Sequence, residues 1–203
     1  MGSAIDSYWT IKTPSRFELR DRNSLFVGFT FRVETTEDVE AGLQMVKKQE
    51  HSASHYCYAY AIGDKNIRVR VSDDGEPSGT GGYPINNQIE RRELRNVLVV
   101  VARYFGGTKL GTGGLVRAYG GTADHALSLS ERVLLYRTTR LEIAYPYQDT
   151  KVVERLLAER GATIIDQDFT DSVKTVVEVR KSLADRLAVQ LSEITQAKVT
   201  FHD

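Results

Sequence analysis

Glycine is unevenly spread along this 203-residue chain, and that unevenness divides it. Eleven of its 16 glycines fall between Gly75 and Gly121, and only Gly161 follows. Seven of them stand in one stretch, RYFGGTKLGTGGLVRAYGG, over 103–121. Glycine loses more freedom on folding than any other residue, so such density marks backbone that must turn tightly or approach another group closely. A glycine-rich first part and a regular second part are therefore expected, as two domains over 1–134 and 135–203.

The second part reads by periodicity. TRLEIAY at 139–145 places Leu141, Ile143 and Tyr145 on one face of a half-buried strand. DTKVVERLLAER at 149–160 carries Val152, Val153, Leu156 and Leu157 on one helical stripe, and Gly161 stands where a helix C-terminal glycine is favoured. Strands follow over 162–169 and 173–180. Ser182 and Asp185 have capping-box spacing for a second helix, whose inner side would carry Leu183, Leu187, Leu191 and Ile194. Lys198–Phe201 closes as a strand. The order β-α-β-β-α-β is the ferredoxin-like split βαβ pattern.

The first part is also mixed α+β. Strands are expected at Tyr8–Lys12, Phe17–Arg20 and Leu25–Val33. Thr35 and Asp38 are spaced to cap a helix over 37–50 with Val39, Leu43 and Val46 inward. Tyr56–Ile62 is an unbroken apolar run, as in a strand covered on both faces. A turn at Gly63-Asp64-Lys65-Asn66 leads to Ile67–Val71, with Arg68 and Arg70 on the side opposite the apolar residues. A helix over about 85–93, a buried strand at Val97–Tyr104 and a helix over about 113–129 complete the part.

Charge and cysteine content narrow the function classes. Lys+Arg and Asp+Glu balance at 27 each, which argues against a surface that grips nucleic acid all over, while leaving room for a local basic patch. The single cysteine, Cys57, allows no internal disulfide, as in a reducing compartment. No basic-then-apolar leader opens the sequence. The longest apolar run, Val97–Ala102, falls far short of the roughly 20 residues of a membrane helix. A cytoplasmic protein is expected.

The 103–121 stretch runs strand, glycine loop, helix. A helix start offers N–H groups without intrahelical partners and a partial positive charge. Glycines let a phosphate approach such a backbone. The candidate anion site is Arg103, Gly106, Gly107, Lys109, Gly111, Thr112, Gly113, Gly114 and Arg117. It is not a Walker loop, because Thr112-Gly113 follows where Lys-Ser/Thr is required, nor a dinucleotide fingerprint, because position 116 is valine. The alternative is a tight strand-to-helix connection, with Gly120-Gly121 easing helix packing.

An acidic loop precedes it. Asp73, Asp74 and Glu76 can hold a hard cation such as Mg²⁺ through oxygen ligands, or can be turn residues, or can recognise a partner. Arg103 is equally a ligand contact or the ion partner of one of these acids. His51, His55 and Cys57 lack a fourth ligand for zinc, so a buried thiol and a hydrogen-bonded imidazole are the default. Tyr56, Tyr58 and Tyr60 share one side of a strand, where they can stack bases or form core.

Two motifs resemble those of the YigZ/IMPACT family. One is Ser72-Asp73-Asp74-Gly75-Glu76-Pro77 with Gly79-Thr80 and Pro84. The other is Arg103-Tyr104-Phe105-Gly106-Gly107, then Leu110-Gly111-Thr112-Gly113-Gly114-Leu115 and Arg117-Ala118-Tyr119. His55 and Cys57 also stand where the family carries such residues. The resemblance covers nearly the whole chain. It implies an N-terminal domain of the ribosomal protein S5 domain 2-like fold, shared with domain IV of elongation factor G, and a ferredoxin-like C-terminal domain similar to domain V of that factor. It also implies kinship with eukaryotic proteins that regulate translation under amino-acid starvation through a stress kinase's activator. That role is tied partly to an extra domain this chain lacks, so the kinase pathway does not transfer. Small-molecule kinases sharing the N-terminal fold grip nucleotide phosphate with a glycine-rich helix start, but their Gly-Leu-Gly-Ser-Ser type of loop is not reproduced here.

Two functions are expected from these features. One is a non-catalytic binding protein touching RNA, the ribosome or a translation-associated protein through the glycine loop, with Arg68, Arg70, Arg91 and Arg92 as further cations. The other is a Mg²⁺-dependent enzyme on a phosphorylated small molecule or nucleotide.

Overall fold

The computed structural model describes residues 6–63 and 66–202. The turn predicted at 63–66 includes Asp64 and Lys65, which lie outside the described residues. The chain forms two compact units, one over Trp9–Leu135 and the other over Tyr136–His202 together with the described residues up to Tyr8.

The first unit is built on a five-stranded sheet. Its strands are β2 (Ser15–Asp21), β3 (Ser24–Arg32), β4 (His55–Ile62), β5 (Arg68–Ser72) and β6 (Val97–Tyr104). They run in the order β2-β3-β6-β4-β5, and every neighbouring pair is antiparallel. Helices α1 (Thr36–Gln49), α2 (Gly82–Arg91) and α3 (Gly111–Leu129) cover it. The central strand β6 reads VLVVVARY because both its faces are covered. Val97, Val99 and Val101 join Cys57, Ala59, Ile85 and Tyr119 in the core beneath α2 and α3. Leu98, Val100 and Ala102 join Tyr60, Val39 and Val46 beneath α1. Each fully buried Val, Leu or Ile among them contributes about 1.5–3 kcal/mol. The tyrosine stripe belongs to the second core: Tyr56 and Tyr58 pack against it, and the Tyr58 and Tyr60 rings stack.

The predicted capping box closes α1. The Asp38 amide donates to Thr35 Oγ1 (3.2 Å) and the Thr35 amide to Asp38 Oδ2 (3.0 Å). The edge strand β5 departs from its predicted alternation. Arg68, Val69 and Arg70 are all exposed, and only Val71 packs on the core. β5 is the outermost strand of the sheet, and its residues on both faces are exposed over 68–70.

In the second unit β8 (Thr138–Tyr145), β9 (Thr163–Phe169), β10 (Val173–Arg180) and β11 (Lys198–His202) form an antiparallel sheet in the order β11-β8-β10-β9. With α4 (Thr150–Glu159) and α5 (Lys181–Ile194) this is the ferredoxin-like arrangement. Leu141, Ile143, Val177, Leu156, Leu157, Leu187 and Leu191 share its core. Two expectations fail here. Ile194, in the last turn of α5, is exposed. Ser182 and Asp185 do not form a capping box, because α5 begins at Lys181 and Ser182 lies within its first turn. The Ser182 amide is instead taken by Asp6 Oδ2 at 3.1 Å, a partner remote in sequence. One strand was not foreseen: β7 (Arg132–Tyr136) pairs with β1 (Ser7–Ile11) in a two-stranded sheet. Among the described residues no helix is long and apolar enough to cross a membrane.

Candidate functional site

The end of β6, the start of β4, the loop before α2 and the loop before α3 surround one cavity of ≈ 480 Å³. Arg103 and Phe105 come from the end of β6, Ser54 and His55 from the start of β4, and Glu76 and Pro77 from the acidic loop. Lys109, Leu110, Gly111 and Thr112 close the remaining side, with Leu115 one turn further along α3.

The three acidic side chains of the first loop point to three different sets of partners. The Asp73 carboxylate accepts the amides of Gly79 (2.8 Å), Gly81 (2.9 Å) and Gly82 (2.8 Å). It thereby closes the start of α2, whose own N-cap residue, Gly81, has no side chain. Burial opposes its charge, but those N–H groups outweigh it and hold the carboxyl below the usual carboxylate range. Asp74 Oδ2 accepts the Tyr56 amide at 2.7 Å, and the Asp74 carbonyl lies 2.8 Å from His55 Nδ1. A carbonyl only accepts, so Nδ1 carries the hydrogen, and in the neutral ring Nε2 is the acceptor. Glu76 Oε1 accepts both Arg103 Nη1 (2.6 Å) and the Tyr119 hydroxyl (2.7 Å).

The expected magnesium ligands therefore do not converge. Among the described residues no three His, Cys, Asp or Glu side chains are grouped to hold a metal. The histidine–cysteine set does not form either. His51 is exposed, and the buried Cys57 thiol donates to the Asp73 carbonyl at 3.0 Å. Burial pushes that thiol up to about 12, so it stays neutral. Burial, then Cys57 and Glu76, push the Tyr119 hydroxyl far above the phenol range, and it remains a donor.

Arg103 forms the lock between the loops and also borders the cavity. It is 5% exposed and ion-paired to Glu76, which is 9% exposed. Its guanidinium lies 5.4 Å from the Phe26 ring and 5.3 Å from the Phe105 ring. Nη2 reaches Ser24 Oγ at 3.4 Å, whereas the buried Nε has no hydrogen-bond partner among the described residues.

The glycine loop behaves differently from the acidic one. A side chain at Gly106 would place Cβ 1.9 Å from the Asn23 carbonyl oxygen, so only glycine fits that close approach. Gly111 has φ +74° with nothing near a built Cβ; there the backbone angle, not space, favours glycine. The N-cap residue of α3, Leu110, supplies no side-chain hydrogen bond, and Gly111–Gly113 are exposed. Lys109 carries no ion pair among the described residues, and its carbonyl accepts Arg22 Nη1 at 3.1 Å.

Of the residues expected in an anion site, Arg103, Lys109, Gly111 and Thr112 line the cavity, joined by Glu76. Gly106, Gly107, Gly113, Gly114, Arg117, Asp73 and Asp74 lie outside its lining. Gly114 is buried against Leu110, and Arg117 Nη1 would sit 3.6 Å from a Cβ on Gly113. Sequence reasoning left Phe105, Leu115 and Tyr119 without a role. The spacing of Leu115 and Tyr119, one helical turn apart after the glycines, was the available signal.

Residues 22–127 match the family model described as the Impact N-terminal domain, and residues 143–198 match a domain of unknown function, DUF1949. The IMPACT family member YvyE of Bacillus subtilis is 32% identical over 197 residues, covering 96% of this chain and 89% of that protein. Protein IMPACT of Oryctolagus cuniculus is 36% identical over 97 residues, covering 46% of this chain and 30% of that protein. A crystal structure of a hypothetical protein aligns with TM-score 0.72 at 27% identity, covering 98% of each chain. With its amino-terminal domain matched and its likeness to YvyE running nearly end to end, the chain belongs to the IMPACT family.

Proposed function

We propose that this chain is a binding protein of translation, one that holds an RNA by its phosphate at the amino-terminal end of α3. The observation that carries this reading is the meeting of Lys109, the uncapped start of α3 and buried Arg103 at one cavity. Helix dipole and unpaired amides favour an anion there, and a local patch suffices although the chain as a whole is neutral. Membership of the IMPACT family supplies the translational setting, because the resemblance implies eukaryotic relatives that regulate translation. A magnesium-dependent enzyme has less support, since Asp73, Asp74 and Glu76 each serve other donors.

Fluorescence anisotropy of a labelled RNA oligonucleotide, titrated at several salt concentrations, tests the reading. Affinity should fall linearly on a log–log plot against salt. The Lys109→Ala/Arg117→Ala variant should bind more weakly, with a slope shallower by about 1–2. Absence of binding by the wild type at low salt removes RNA as the partner.

A further inference from the structure

We propose that the cavity takes a single nucleotide, with its phosphate on the first turn of α3 and its base against Phe105. This deepens the anion reading above and rests on it. Size is the first reason. At ≈ 480 Å³ the cavity lies within the roughly 300–1,000 Å³ of small-molecule sites, and a bare phosphate would leave most of it unfilled.

The second reason is that its walls differ in chemistry. Lys109 and the start of α3 offer donors and positive charge. The His55 ring also borders the cavity; its Nδ1 is already committed to Asp74, and in the neutral ring its Nε2 accepts. A simple inorganic anion has little to donate to that ring. A nucleotide brings both a phosphate and the amino, imino and hydroxyl donors of its base and sugar.

Phe105 supplies the platform. Phe105 is 48% exposed and lines the cavity, and its ring lies 5.3 Å from the Arg103 guanidinium, which is fixed in turn by Glu76 and Phe26. An exposed aromatic anchored by a guanidinium at the wall of a cavity suits a stacked base. Pro77 and Leu115 extend the apolar wall. Arg103, 5% exposed, stands in the same wall, and its buried Nε has no hydrogen-bond partner among the described residues.

Isothermal titration of the full chain with AMP, GMP, CMP, UMP, adenosine and inorganic phosphate tests this. At least one monophosphate should bind tenfold or more tightly than both inorganic phosphate and adenosine. Phe105→Ala should bring that monophosphate within about threefold of inorganic phosphate and leave phosphate itself unchanged. Lys109→Ala should weaken both several-fold. Circular-dichroism melting verifies that the variants fold, and Phe105→Leu repeats the test with apolar volume kept and the aromatic face removed. An oligonucleotide with a 5′-phosphate, compared with its 5′-hydroxyl form and with free mononucleotide, separates an RNA terminus from a free nucleotide as the source. Monophosphates that bind no better than inorganic phosphate, or no worse to either Phe105 variant, overturn the nucleotide while the anion reading stands. Failure of every phosphate compound together with RNA removes both.

Discussion

The loops before α2 and α3 share one local plan and end differently. Each leaves a β-strand, carries glycines beside charged residues and delivers the chain into a helix whose N-cap residue provides no side-chain hydrogen bond. At α2 the vacant role is filled from upstream: the Asp73 carboxylate reaches over and accepts the amides of Gly81 and Gly82. At α3 no comparable carboxylate arrives among the described residues. The difference traces to composition, because no Asp or Glu occurs between Val97 and Ala123, while Arg103, Lys109 and Arg117 all do. A segment that lacks a carboxylate cannot close its own helix start with one. What distinguishes a receptive helix end from a finished turn is therefore the counter-group, more than the glycine count.

The strongest way to break this comparison is to cut the tie between the two loops. Glu76→Ala would leave the Arg103 guanidinium and the Tyr119 hydroxyl buried without their shared acceptor. Removing one partner of a buried pair destabilises by about 3–5 kcal/mol. Urea unfolding should show that loss as a lower midpoint with an unchanged slope. The double variant Glu76→Leu/Arg103→Met should recover much of it, since apolar replacement of a whole buried pair is often neutral or better. A single-variant loss below about 1 kcal/mol would show that the loops are held together by something else.

Much of this fold was legible because its signals are local. Periodicity located β6, β8, β10 and the helix stripes, and Thr35 with Asp38 sat where the capping box formed. The failures are non-local. Ser182 has the spacing of a cap, yet Asp6 from the far end of the sequence serves that helix start. β7 becomes a strand only through pairing with β1. The candidate site divides along the same line. Arg103, Lys109, Gly111 and Thr112 follow from one continuous motif. That Asp73 caps a helix while Glu76 meets Arg103 depends on how far each residue lies from its partner in space, which spacing along the chain does not encode. Phe105 stands in that continuous motif too, but an aromatic just after a strand has no periodic partner to assign it a role.

A smaller effect tests the closed end. Asp73→Asn removes the charge that the three glycine amides stabilise, and bonds to a charged acceptor contribute more than neutral ones. The sign of its pH dependence is fixed. The Asp73 carboxyl is held below its ordinary value of 3.8, so its contribution is complete above that value. It is lost as pH falls through the lower, folded-state value. Urea midpoints measured from pH 5 downward should therefore fall more steeply for the wild type than for Asp73→Asn. Parallel acid limbs would mean that Asp73 does not stabilise the α2 start by its charge.

The smallest change is aimed at the open end and should act in two directions at once. Thr112 is exposed in the first turn of α3 and lines the cavity. Thr112→Glu places a carboxylate beside the unpaired amides, and a negative charge there stabilises a helix by about 0.3–1 kcal/mol at low ionic strength. If α3 is open because it receives an anion, the variant gains that stability and loses phosphate and RNA binding, since the new carboxylate occupies the charge position of the guest. Urea unfolding and anisotropy, run on the same preparation at low salt, read the two signs together. A gain in stability with RNA affinity unchanged would mean that the exposed amides of α3 are incidental to binding. Glutamate in the helix would then merely complete what Asp73 already does for α2.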